Sequence, residues 1–288
     1  METSLSFKPT FLLGGDLEVN RMGYGAMRIT GPQIWGMPEN PQNSVDVLQR
    51  AVELGVNFID TADQYGPFTS EQLITEALHP YKENIIVGTK GGLVRFGPWG
   101  DINNDASPQH LQDALDGSLR RLKLEQIALY QLHRIDPKVP AEITFDFLAK
   151  AQQQGKIKHL GLSEVSVDDI KLAQQYFQVV SVQNRYSVFD RQWESVLDYC
   201  KSQGIAFIPW FPIGGGMVQL EEKLKVIADR KQVSMHQLAL AWLLYHADNI
   251  LLIPGTSNIA HLEENINATT IKLTADDMQE LDGLAPLH

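Results

Sequence analysis

Eight short apolar runs recur along the chain, each followed by a loop and most then by a segment of helical period. They are RMGYGA (21–26), VNFID (56–60), IIVGTK (85–90), IALYQLH (127–133), IKHLGLS (157–163), VVSVQN (179–184), IAFIPW (205–210) and ILLIP (250–254). Strands this apolar, alternating with helices, belong to parallel sheets covered by helices. Eight of them predict a closed (β/α)8 TIM barrel of class α/β, a single domain over residues 1–288, rather than an open doubly wound sheet. The GG-D turn of FLLGGDLEV predicts an N-terminal β-hairpin that closes the bottom of the barrel. LEEKLKVIADRKQ predicts an extra helix after the seventh strand, and GGLVRFGPWGDINNDAS a long loop after the third. Gly55, Gly155 and Gly204 end helical segments and are expected as left-handed caps.

With 288 residues, 43% of them hydrophobic, the chain can bury a large core. Its net charge of −11 and the absence of any Lys/Arg run argue against nucleic acid or a membrane surface as partner. No signal peptide or membrane span is read, so the expectation is a cytoplasmic protein; small molecules are the expected partners, and a monomer is the default expectation. The single cysteine, Cys200, lies in a helical segment and reads as packing. No metal is expected, because the eight histidines form no HExxH or close cluster, and His79, His110, His159, His236 and His246 read as surface or helix-packing residues.

In such barrels the reactive groups project from the C-terminal strand ends. Here those ends carry Asp60 with Tyr65 just beyond, Lys90, His133, Ser163 with Glu164, Gln183 with Asn184, and Trp210. An acid, a phenol, an ammonium and an imidazole at three consecutive ends form a chemical unit. An ammonium beside a tyrosine stabilises the phenolate and is expected to lower the phenol pKa, which improves it as a general acid. Lys90 supplies that charge, and Asp60 keeps the lysine protonated and aimed. His133, neutral and donating, orients a substrate oxygen. Asp63 is expected to be a solvated or turn-forming loop residue.

The segments FIDTADQYG, IIVGTKGG and LYQLHRID resemble the aldo-keto reductase superfamily, and the resemblance continues through RMGYGAM, GKIKHLGLSEVS, VVSVQNRYS, GIAFIPWFPIGGG and IPGTSNIAHLEENINA. It implies NADPH-dependent reduction of an aldehyde or ketone on a (β/α)8 barrel, with NADH as an alternative cofactor. Tyr65 would be general acid and base, Lys90 and Asp60 its tuning pair, and His133 the group that orients the carbonyl. By the same resemblance Gly25, Ala26 and Met27 border the cofactor, Ser163, Glu164 and Gln183 hold the nicotinamide carboxamide, and Trp210 stacks on the ring. Phe211, Pro212, Ile213 and Gly214 would approach the pyrophosphate. Gly255, Thr256, Ser257, His261, Glu264 and Asn265 would take the adenosine end. Glu164 stands where the family usually has Asn, Trp210 where it has Tyr, Gly255 where many members have Lys and His261 where they have Arg. Fewer fixed charges imply a modest preference for NADPH over NADH. Trp35, Phe96, Trp99 and Arg134, on mouth loops, are candidates for the carbonyl substrate.

Two other readings are open to the sequence. A barrel glycoside hydrolase would pair Asp60 with Glu164, but leaves Lys90 without a role. A regulatory or redox-sensing subunit that binds nicotinamide cofactor, as in the superfamily's potassium-channel β subunits, would not need turnover, and the N-terminal extension expected of it is not seen.

Overall fold

In the computed structural model, residues 5–212 and 218–285 are described. The strands are β1 (Thr10–Leu13), β2 (Leu17–Asn20), β3 (Tyr24–Gly25), β4 (Phe58–Asp60), β5 (Ile86–Gly91), β6 (Leu93–Arg95), β7 (Ile102–Asn104), β8 (Ile127–Leu132), β9 (Ile157–Ser163), β10 (Val179–Gln183) and β11 (Ala206–Phe207). The helices are α1 (Pro41–Glu53), α2 (Thr69–Leu78), α3 (Pro108–Leu122), α4 (Ala141–Gln153), α5 (Val167–Ala173), α6 (Glu194–Gln203), α7 (Val218–Lys231), α8 (Met235–His246), α9 (Ile259–Asn267) and α10 (Ala275–Asp282).

Seven strands form one parallel sheet in the order β11-β10-β9-β8-β5-β4-β3. The eighth segment closes it by single bridges, Phe207 to Ile250 on one side and Met22 to Leu252 on the other. Its amides alternate between neighbours: Leu251 donates to Phe207, Leu252 donates to Arg21, and the Gly23 amide returns a bond to Leu252. The expected first, seventh and eighth strands are therefore shorter as regular ladder than their apolar runs. A staggered barrel seam gives each neighbour only one or two bonds per segment.

The hairpin β1-β2 is antiparallel, and its Leu13 and Val19 join one buried cluster with Phe58, Ile86, Leu129, Val180, Ala206, Ile208 and Leu251. This is the barrel interior, plugged from below by the hairpin. Gly55, Gly155 and Gly204 take φ of 94°, 80° and 67°, as the left-handed caps require. The segment after the third strand is not simply a loop. Leu93–Arg95 pairs antiparallel with Ile102–Asn104, and the Arg95 guanidinium binds the carbonyls of Pro98 and Gly100 inside the turn and that of Gln33 outside it. Cys200 is fully buried, which pushes its thiol pKa up to about 12, so it serves as packing. Among the described residues no helix is long and apolar enough to cross a membrane.

Candidate active site

Asp60 closes β4 with both carboxylate oxygens engaged. Oδ2 accepts from Lys90 Nζ at 2.6 Å, and Oδ1 accepts from Gln131 Nε2 at 3.2 Å and Gln183 Nε2 at 3.0 Å. Lys90 is fully buried at the end of β5; its ammonium also donates to Thr61 O at 2.8 Å and reaches Tyr65 Oη at 3.5 Å. The tyrosine arrives there because its loop is pinned. Asp63 N–H donates to Lys90 O at 3.1 Å, Tyr65 N–H to Ala62 O at 3.1 Å, and Ser70 N–H to Tyr65 O at 3.0 Å as α2 begins. His133, just past β8, sets its ring 6.0 Å from that of Tyr65 at 79°.

Burial opposes the charge on Lys90, but Asp60 and then Tyr65 outweigh it, and the ammonium's pKa rises. His133 goes the other way: burial first, then Lys90 and Arg134, push it well below its ordinary value, so the ring is neutral. The Tyr65 pKa is raised, not lowered as the sequence suggested. Burial dominates there, and the Lys90 charge only partly offsets it. The phenol is held protonated.

Asp63 departs from expectation too. It is buried, 3% exposed, and burial followed by the Glu71 charge pushes its pKa up to about 8. Glu71 itself binds Arg121 Nε at 2.6 Å and accepts from Thr89 Oγ1 at 2.7 Å, so α2, α3 and β5 meet around this buried carboxyl.

A cleft of about 910 Å³ opens over the tetrad and is lined by Asp60, Tyr65 and His133. Gly25, Met27, Ser163, Gln183, Trp210, Phe211, Pro212, Gly255, Thr256, His261, Glu264 and Asn265 share its wall, as does Arg134. Lys90 lies beneath. Ala26 is fully buried behind the wall. Ser257 and Trp99 border an adjoining recess of about 990 Å³. Trp35 lies under the Arg95 guanidinium at 5.8 Å, and Phe96 stands 82% exposed at the ribbon tip. Ile213 and Gly214 lie outside the described residues. Glu164 does not line the cleft; its carboxylate is taken by Trp210 and the Arg185 amide.

Sequence reasoning missed Gln131, whose inward position on β8 is the signal that could have found it. It also missed Arg28 and Arg95 on the wall, and read His236 as a surface or helix-packing residue although it lines the cleft. The lining suits a dinucleotide. It offers hydroxyl and amide groups at Ser163 and Gln183, an indole face, three arginines and, at the far end, the first turn of α9, capped by Asn258, which accepts from His261 N–H at 3.2 Å.

The sequence model of the Aldo/keto reductase family matches residues 21–286. An uncharacterized oxidoreductase of Schizosaccharomyces pombe is 49% identical over 269 residues, 93% of this chain and 87% of that protein. Pyridoxine 4-dehydrogenase of Escherichia coli is 40% identical over 282 residues, 96% of this chain and 98% of that one. Among solved structures, an aldo/keto reductase from Klebsiella pneumoniae in complex with NADP and acetate superposes with a TM-score of 0.80 at 25% identity, covering 98% of this chain and 97% of its own.

Proposed function

Because the chain belongs to the aldo/keto reductase family and is an NAD(P)H-dependent oxidoreductase, we propose that it reduces an aldehyde or ketone to the alcohol with Tyr65 as general acid. The observation that carries this reading is the fully buried Lys90 ammonium, held 2.6 Å from Asp60 and 3.5 Å from the Tyr65 phenol on the cleft floor. NADPH, when bound, supplies the hydride to the carbonyl carbon. The residues do the rest. The neutral His133 donates to the carbonyl oxygen and fixes its orientation. As negative charge gathers on that oxygen, Tyr65 Oη–H gives up its proton, and the resulting phenolate is stabilised by Lys90. Asp60 keeps Lys90 charged at a depth where an isolated lysine would lose its proton.

Ser163 and Gln183 fit the carboxamide end of the cofactor, Trp210 its ring, and Thr256, Ser257 and the α9 N-terminus its phosphates. For the carboxamide Gln183 would exchange its bond to Asp60 Oδ1, which Gln131 keeps satisfied meanwhile. Arg134 is the group of the cleft wall that we assign to the carbonyl substrate. The hydrolase reading is poorly served: Asp60 is fully engaged by three donors, and Glu164 faces away from the cleft.

The test is a carbonyl panel followed by NADPH oxidation with NADH beside it, and pyridoxine oxidation with NADP⁺ included because of the 40% identical dehydrogenase. Tyr65→Phe should lower kcat by about 10³-fold or more while NADPH affinity stays within about threefold. Near-normal turnover in that variant removes the mechanism. NADPH binding with no turnover of any carbonyl by the unmodified protein selects the sensing-subunit reading.

A further inference from the structure

Glu164 and Trp210, the two strand-end residues that differ from the family's usual pair, bind each other. Trp210 Nε1–H donates to Glu164 Oε1 at 2.5 Å, and the Arg185 amide donates to the same oxygen at 2.7 Å. The backbone is shaped to allow it. Glu164 takes φ of 55°, in the left-handed region, and its own amide donates to Gln183 O at 3.0 Å. Ser163 therefore stays on the cleft wall while the next side chain turns back toward Trp210. The strand ends are cross-tied here: Trp210 N–H donates to Asn184 O at 3.1 Å, and the Asn184 side chain binds both Val165 N–H and Val165 O.

An indole needs an acceptor for its N–H when it leaves water, and an ionised carboxylate offers only acceptors. One carboxylate oxygen between two N–H donors suits that chemistry, and charge-assisted bonds are the strong ones. An asparagine at this position is one methylene shorter, and a phenol in place of the indole brings no N–H. The two substitutions make sense together.

We propose that Glu164 is a positioning residue, which sets the Trp210 indole against the cleft wall for stacking on the nicotinamide and leaves the carboxamide to Ser163 and Gln183. The inference rests on the reading of Trp210 as the stacking residue. It assigns Glu164 no contact with cofactor.

The test is a double-mutant cycle on NADP⁺ affinity by isothermal titration calorimetry, with near-UV circular dichroism reporting indole ordering. Glu164→Ala should weaken NADP⁺ binding about tenfold and remove the part of the near-UV signal that Trp210→Phe also removes. Glu164→Gln, which keeps an acceptor oxygen, should restore both. In the Trp210→Phe background, Glu164→Ala should change the affinity by less than about twofold. Thermal melts of each variant identify any loss through unfolding, and the Gln variant carries the test if the Ala variant melts early. The proposal is overturned if Glu164→Ala weakens binding equally in both backgrounds, or if Glu164→Gln behaves like Glu164→Ala. It also falls if Trp210→Phe leaves affinity unchanged, and that outcome removes the stacking reading as well. Loss of turnover in Tyr65→Phe is independent of all of these.

Discussion

Asp63 shows how the burial of a single carboxyl can make the stability of a fold depend on pH. Its carboxyl is buried with Glu71, Arg121, Tyr130 and Lys90 around it, and its pKa is pushed up to about 8 from an ordinary 3.8. Between those values the folded protein keeps the proton and the unfolded chain has lost it. At this group the folded state therefore binds more protons, and its contribution to stability falls as pH rises, by up to about 1.4 kcal/mol per pH unit, with no further loss above the folded pKa. Asp63→Asn keeps the shape and abolishes the titration. Urea unfolding from pH 5 to 9 should show the variant gaining on the parent as pH rises to about 8, then holding constant. A difference that does not vary with pH would show that this carboxyl is ionised in the fold. Nothing in the local residue pattern announces it. Asp63 looked like a loop residue because its burial is imposed by α2 and α3, whose contribution is decided only when they pack.

At the scale of elements, the seam between the first strand and the eighth segment brings two backbones into close approach. A Cβ on Gly255 would lie 2.6 Å from the Gly25 carbonyl oxygen, and one on Gly25 would lie 2.5 Å from that of Ile253. These glycines are there for backbone approach, which gives Gly255 a reason independent of any phosphate. Gly255→Ala should destabilise by about 1–3 kcal/mol, read as a lower thermal midpoint, and an unchanged midpoint would show that the seam yields. The eight strand runs were legible because β-branched apolar residues announce a buried parallel sheet. The ribbon β6-β7 was not legible. Its two strands are three residues each, and its turn is held by Arg95 on carbonyls, a contact that no periodicity signals. The tetrad was legible because polar groups at consecutive strand ends stand out against apolar runs. The clamp on Trp210 was not, since its partner sits 46 residues away.

For the whole molecule, charge is distributed with a purpose. The chain carries −11 overall, yet Arg28, Arg95 and Arg134 line the cleft, and no carboxylate lies within ion-pair distance of them among the described residues. Set among the cleft carboxyls of Asp60, Glu221 and Glu264, these three guanidiniums offer an anionic cofactor fixed positive partners in one place. That place is built on the segment that closes the barrel by single bridges at Ile250 and Leu252. Ligand binding and ring closure thus share the same few backbone bonds, and a ligand at a hundred times its Kd adds about 2.7 kcal/mol against any opening that releases it. Hydrogen exchange should record the coupling: saturation with NADPH should slow the amides of Gly23, Leu251 and Leu252 far more than those in the middle of β8 and β9. Uniform slowing would mean that the ring opens only when the whole protein unfolds. The weakest-laced stave of the barrel is then its clasp, and the cofactor is what fastens it.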